Sequence, residues 1–259
     1  MIPRAIPSLK GHKALIVGIA NEHSIAWGCA KWLRALGADV AITYRSEKTR
    51  EFVAPLAAEL EAPIVMPLDI RVPGQLEAAF ERIGREWGRL DTVVHSFAYA
   101  PKDAMRGRVV DVTGEDFATT LEVSCWSFIR MAHLAEPLMA RGGTLFTMSY
   151  HGSRAVVENY KIMGLAKAAL EAAVRYLAAE LGPKGIRVHA ISPGPIATRA
   201  ASGVPEFDEL LAKAQDKAPA QALVSIDDIG AATAFLALDA ARLITGETIY
   251  IDGGYHIMN

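Results

Sequence analysis

The 259-residue chain is 51% hydrophobic and 22% charged, with a formal net charge of −2, the balance of an ordinary globular protein large enough for one sizeable core. Phosphate backbones and anionic membrane surfaces are held by clustered Lys and Arg, and the chain has no such block, so nucleic acid and membrane are excluded as partners. Cys29 and Cys125 lie in apolar helical patterns rather than in Cys-x-x-Cys, which points to packing and gives no sign of an oxidising compartment.

Near the start, the apolar run Ala14-Leu15-Ile16-Val17 is too short for a secretory signal and no small-residue cleavage site follows it. No segment approaches the roughly 18 apolar residues of a membrane span, so the expected location is cytoplasmic. Short β-branched runs alternate with longer segments of 3.6-residue period. Strands are predicted at 14–17, 39–43, 64–68, 92–95, 143–148, 187–191 and 248–251, with helices between them. That alternation describes one α/β domain over 1–259, a parallel sheet covered by helices on both faces.

The first strand ends at Gly18 and the next helix starts near Ser24, giving Gly18-x5-Ser24-Ile25-Ala26 with Gly28 a turn later. A dinucleotide pyrophosphate commonly lies over such a turn, because free amides and the helix dipole favour anions there. Taken alone the signal is weak, since Gly-x-Gly-x-x-Gly is missing. The most irregular stretch is 192–224, where Pro193, Pro195, Gly203, Pro205 and Pro219 interrupt the pattern, and it reads as a loop and helix insert for substrate. Ser225 with Asp228 three residues on reads as a capping box that restarts a helix rather than as an acid/base couple. The seven histidines form no His-x-x-x-His or His/Cys cluster, so no metal site is expected. His95 and His133 read as packed or surface residues.

Tyr160 and Lys167 lie seven residues apart, which would place them two turns from each other on one helix face. A tyrosine that gives up a proton near neutral pH needs a nearby positive charge to bring its pKa down from about 10, and Lys167 would supply it. For an isolated Tyr-x6-Lys the better bet is a surface lysine and a half-buried tyrosine that merely share a face.

The strand-turn-helix start, the Tyr160/Lys167 segment and Asp252-Gly253-Gly254 together resemble the short-chain dehydrogenase/reductase family, which implies a Rossmann-like, doubly wound sheet. That family most often has Tyr-x3-Lys, whereas here Gly164 stands four residues after Tyr160. Three extra residues move the tyrosine about 4.5 Å along a helix axis. The longer separation suits a conjugated carbonyl, where hydride reaches the β-carbon and charge develops on an oxygen several bonds away.

The subgroup with this spacing is the bacterial enoyl-acyl-carrier-protein reductase, and the resemblance covers nearly the whole chain. It also includes His95 to Pro101, Ser149-Tyr150, Pro195-Ile196 and Ala200 to Gly203. The resemblance implies NAD(P)H-dependent reduction of an enoyl thioester in fatty acid synthesis. Tyr160 would hydrogen-bond the thioester carbonyl and Lys167 would hold the nicotinamide ribose. Tyr150 matches a second active-site tyrosine, with a structural aromatic at a strand end as the alternative, and Ala100 would line the substrate. Gly18, Ser24 and Ile25 would face the pyrophosphate, Asp69 and Ile70 the adenine, Phe97 the nicotinamide side, and Ile196, Ala197, Thr198, Arg199 and Ala200 the carboxamide.

Where an acid after the second strand would select the NAD ribose, the chain reads Tyr44-Arg45-Ser46. Arg45 could meet a 2′-phosphate, so NADH and NADPH both stay open with a slight tilt to NADPH. Glu206, Asp208 and Glu209 stand where the subgroup commonly carries basic residues, Pro219 to Leu223 replace a segment that often holds paired arginines, and Arg199 takes a usually apolar place. Like charges disfavour docking, so the carrier is open between acyl carrier protein and coenzyme A. The family implies a homotetramer built through helices around 116–139 and 160–181. The competing functions are carbonyl reduction and a non-catalytic nicotinamide sensor. Retention of both Tyr160 and Lys167 argues against the sensor.

Overall fold

The computed structural model describes residues 7–198 and 207–258. Seven parallel strands form one sheet: β1 (Lys13–Val17), β2 (Asp39–Tyr44), β3 (Ile64–Pro67), β4 (Thr92–His95), β5 (Gly143–Met148), β6 (Ile186–Pro193) and β7 (Thr248–Ile251). Their order across the sheet is β3-β2-β1-β4-β5-β6-β7. Each predicted strand forms within two residues of its expected bounds, since a β-branched run buried on both faces leaves little choice of state.

Among the described residues the helices are α1 (Ile25–Ala35), α2 (Glu47–Glu59), α3 (Gln75–Trp87), α4 (Lys102–Arg106), α5 (Gly114–Leu121), α6 (Ser127–Ala135), α7 (Ile162–Leu181), α8 (Phe207–Lys217) and α9 (Ile226–Ala237). The two-residue period of the strands sorts their side chains into two cores. Leu15, Val17, Val93 and Leu145 pack with α3, α6 and α7. Ala14, Ile16, Val94 and Phe146 pack with α1, α2 and α9. This is the doubly wound, Rossmann-like arrangement, and Cys29 and Cys125 are buried in these layers.

One π-helical turn, Glu122–Trp126, joins α5 to α6. Ser225 and Asp228 form the expected capping box at the start of α9, with Ser225 Oγ accepting from the Asp228 amide and Asp228 accepting from the Ser225 amide at 2.8 Å. No helix of the described residues is long and apolar enough to cross a membrane, and among them no group of His, Cys, Asp and Glu could hold a metal ion.

The strand order reverses at β1, which lies between β2 and β4. Connections leave β1 in opposite directions there, and a crevice opens at the C-terminal ends of the strands. On one face of the sheet, helices α1 and α9 approach closely at Gly28 and Gly230. A Cβ on Gly28 would strike the Ile226 carbonyl oxygen and lie 2.7 Å from its carbon, and one on Gly230 would lie 2.6 Å from the Gly28 carbonyl carbon. Both obstacles are backbone, so neither can swing aside. We expect Gly28→Ala to destabilise the fold by about 2–3 kcal/mol, lowering Tm by roughly 5–10 °C in a thermal melt followed by circular dichroism. An unchanged Tm would show that the two helices separate at no cost.

Candidate active site

The site is built from the ends of the strands. Gly18 leaves β1 with φ +107°, and a Cβ there would lie 2.8 Å from the Ser96 carbonyl carbon, so only glycine lets the first turn press against the end of β4. Ser24 Oγ accepts from the amides of Ala20 at 3.0 Å and Asn21 at 3.1 Å and donates to Asn21 Oδ1 at 3.3 Å. Its hydroxyl is used inside the turn that it was expected to bring to the pyrophosphate. The Trp27 and Gly28 amides donate to the Ser24 carbonyl at 2.9 and 3.3 Å, so the Ile25 and Ala26 amides are the donors that helix geometry leaves open at this end.

Asp69, just past β3, donates its amide to Gln75 Oε1 at 2.8 Å and accepts the Arg71 amide at 3.0 Å. Its carboxylate lies 4.0 Å from Arg45 Nε and 3.6 Å from Arg71 Nε. Arg45 is therefore oriented toward an acid across the β2–β3 edge instead of projecting alone. Ile70 is half-buried beside it. Past β4, Phe97 packs on the first core with its ring edge-on to His95 at 5.5 Å. His95 is fully buried and held by Thr147 at 2.8 Å and Ser127 at 2.7 Å, while His133 is exposed. Ala100 is half-buried in a loop that Ser124 pins, through both the amide and the carbonyl of Tyr99 at 3.0 Å.

Tyr160 and Lys167 do not share a helix. Tyr160 lies in the turn before α7, and the helix begins at Ile162. Asn159 at φ 63° and Lys161 at φ 47° flank it, a left-handed pair that breaks the helical continuation assumed from spacing. Lys167 is buried on α7 and its Nζ donates to the Met148 carbonyl at the end of β5 at 2.6 Å. Burial lowers its pKa to about 8, with Cys125 and then Glu171 opposing the shift. Tyr160 is not pulled down by Lys167, contrary to expectation. Burial, then Tyr150 and Glu171, push the phenol well above its ordinary value.

Tyr150 follows β5, and its ring meets that of Tyr160 at 4.8 Å between centroids, inclined by 61°. The Tyr150 hydroxyl is buried without a hydrogen-bond partner among the described residues, and burial raises its pKa too. A buried phenol without a partner carries a desolvation cost that a ligand would remove.

Beyond β6, Pro195, Ile196 and Ala197 line a cavity of about 260 Å³ together with His23, Leu211, Leu223, Val224 and Ile226. The Thr198 amide donates to the Ile196 carbonyl at 2.8 Å. Arg199, Ala200, Glu206 and the side chain of Asp208 lie outside the described residues; Glu209 is exposed. Three residues of the site escaped the sequence reading: Ser124, Gly152 and Glu171. Glu171 had a usable signal, an acid four residues after Lys167 in the apolar first half of α7.

The chain matches a model of the family described as enoyl-(acyl carrier protein) reductase over residues 18–256. It is 45% identical to enoyl-[acyl-carrier-protein] reductase [NADH] 2 of Rhizobium meliloti, covering 96% of this chain and 93% of that protein. Against the Salmonella typhimurium enoyl-[acyl-carrier-protein] reductase [NADH] the identity is 41%, covering 96% and 95%. The solved structure of the Anaplasma phagocytophilum reductase in complex with NAD superposes with TM-score 0.93 at 43% identity, over 98% of this chain and 97% of that one. The Bacillus cereus reductase with NADP+ and an indole naphthyridinone gives 0.95 at 40% identity, over 98% and 100%. On sequence and fold alike, the chain belongs to the enoyl-(acyl carrier protein) reductase family.

Proposed function

We propose that the chain reduces the 2,3 double bond of an enoyl thioester in the cytoplasm, with NADH as hydride source and acyl carrier protein as the carrier. The observation that carries this reading is the buried Tyr150 hydroxyl, without a partner among the described residues, on a ring packed against that of Tyr160, with Lys167 buried on the Met148 carbonyl two residues before it. The residues present fit a nicotinamide dinucleotide. The Gly18 turn excludes any Cβ, the N-terminus of α1 offers amides to a pyrophosphate, and Ile196 and Ala197 wall a cavity beside that turn. When bound, the dinucleotide supplies the hydride.

Tyr160 keeps its proton, because burial disfavours the phenolate. It acts as a hydrogen-bond donor to the thioester oxygen, strengthening as negative charge develops there. Tyr150 offers a second hydroxyl to the same pocket. Lys167 has one N–H on Met148 and two further donors for a ribose, and its positive charge favours an anionic oxygen nearby. Exposed Leu165, Ala168 and Tyr176 on α7, with Phe117, Trp126 and Ile129 on the α5–α6 stretch, support further copies of the chain as partners in a homotetramer.

The decisive assay is loss of reduced-cofactor absorbance on mixing the protein with NADH and crotonyl-coenzyme A. Tyr160→Phe is expected to lower kcat by about 10²–10⁴-fold, and Lys167→Ala to lower it while also weakening NADH binding. Parental turnover by Tyr160→Phe, with chemistry limiting, would remove Tyr160 from the role.

A pH dependence follows from Lys167. Its ammonium faces Glu171 on its own helix, Cys125 from the π-helical turn, buried His95 from β4 and the Met148 carbonyl from β5. The charged form is present below about 8 and lost above it, so kcat/KM should fall with a single alkaline limb near that pH. Tyr160, shifted upward, cannot produce that limb. A profile flat to pH 10 would contradict the assignment.

For the cofactor, the acid beside Arg45 argues against a 2′-phosphate, and the curated relatives named above are NADH enzymes. NADH should give the higher kcat/KM. Arg45→Gln should reduce residual NADPH use while leaving NADH within about 2-fold, since bidentate phosphate recognition belongs to Arg. A preference for NADPH in the parent would reverse the inference.

A further inference from the structure

Glu171 is a buried carboxylate on α7, one turn beyond Lys167 and 3% exposed. Ser149 Oγ donates to its Oε1 at 2.7 Å, Ser153 Oγ donates to the same oxygen at 2.6 Å, and Arg154 Nε reaches Oε2 at 3.3 Å. Every one of these partners comes from the segment that leaves β5 and carries Tyr150. Inside that segment Gly152 backs the Tyr160 ring. A Cβ there would lie 2.9 Å from Tyr160 Cε1, and one on Gly164 of α7 would lie 2.8 Å from the Gly152 carbonyl oxygen. The segment is thus wedged between α7 and the ring of Tyr160, and Glu171 is what ties it down.

We propose that Glu171 is a positioning residue for both tyrosines, clamping residues 149–154 to α7 so that Tyr150 and, through Gly152, Tyr160 keep their orientation toward the substrate. The proposal rests on the enoyl reductase reading. Glu171 does not reach the reacting atoms. It acts through two serine hydroxyls and a glycine, in the way a supporting shell fixes a reacting group. Hydrogen bonds to a charged acceptor are the stronger kind, and this one sits where water cannot replace it. A misplacement near 1 Å at a reacting group can cost about 10²-fold in rate, which is the scale at stake here.

The test compares Glu171→Ala, Glu171→Gln and the double variant Ser149→Ala with Ser153→Ala. Turnover is measured on crotonyl-coenzyme A at pH 6.5, where Lys167 is protonated. NADH affinity is read by fluorescence, and amide hydrogen exchange is followed over 149–160. Glu171→Ala should lower kcat by roughly 10–100-fold, leave the NADH Kd within about 2-fold and speed exchange in 149–160. Glu171→Gln keeps an oxygen for both serines and should stay within about 3-fold of the parent. The double serine variant should follow Glu171→Ala, and it carries the test if that variant fails to fold. Parental kcat and exchange in either disabling variant would overturn the proposal. So would a loss of NADH affinity in step with kcat, which marks a general loosening of the cofactor site. If the parent binds NADH but reduces no enoyl thioester, the functional reading fails, and the exchange rates still decide whether the clamp exists.

Discussion

Everything at the site hangs on how α7 is fastened to the end of β5. Two charged side chains one turn apart on that helix, Lys167 and Glu171, are buried and face consecutive residues of the strand end: Lys167 Nζ bonds the Met148 carbonyl and Glu171 accepts from Ser149. An isolated buried charge would cost several kcal/mol, and it persists only where hydrogen bonds satisfy it. Here each charge is satisfied by the chain that leads into the Tyr150 segment. The same contacts that make the burial tolerable therefore set the distance between the helix and the tyrosines. Small displacements are opposed from both sides, since Gly152 and Gly164 leave no slack between backbone and ring.

The sheet supplies the frame that this fastening needs. Parallel strands aim their C-terminal ends in one direction, so Gly18, Asp69, Ser96 and Tyr150, far apart in sequence, converge on one edge. The reversal of order at β1 opens that edge for a ligand. The first turn lies against β4 because Gly18 has no side chain to hold it away. Helix α1 then presents its positive end beside the crevice, and its crossing with α9 at two glycines holds that end in place. Fold stability and ligand chemistry share these positions.

Electrostatics divides the labour between the buried groups. The two tyrosine rings are in contact and Lys167 is buried against the Met148 carbonyl, two residues before Tyr150, and burial acts on these groups with opposite sign: it keeps the tyrosines protonated and draws Lys167 down to about 8. The result is a pair of neutral hydroxyls and a buried cation that is still charged at neutral pH. Such a set stabilises an oxygen on which negative charge develops, without creating a permanent phenolate that would repel it. Glu171 sharpens the contrast, since its charge raises both Tyr160 and Lys167.

What the sequence determined by itself was the secondary structure, the class of fold and the family. The β-branched runs, most of them buried on both faces, admit one local state, and the capping box at Ser225 and Asp228 forms from neighbours three residues apart. Local physics suffices for such features. Tyr150, Tyr160 and Lys167 were singled out too, because their residue types and spacing resemble a family. Only the tertiary structure decided how they work. Spacing placed Tyr160 on a helix face, but Asn159 and Lys161 adopt positive φ and put it in the turn before α7. It also assigned Lys167 the task of lowering the tyrosine, yet burial, then Tyr150 and Glu171, push the phenol up instead. Arg45 appeared free until β3 brought Asp69 beside it. Ser24 turned inward, and Glu171 gained its partners only when β5 and α7 met. Each of these outcomes depends on desolvation or on contacts between segments the chain brings together late, and neither quantity is written in the order of residues along it.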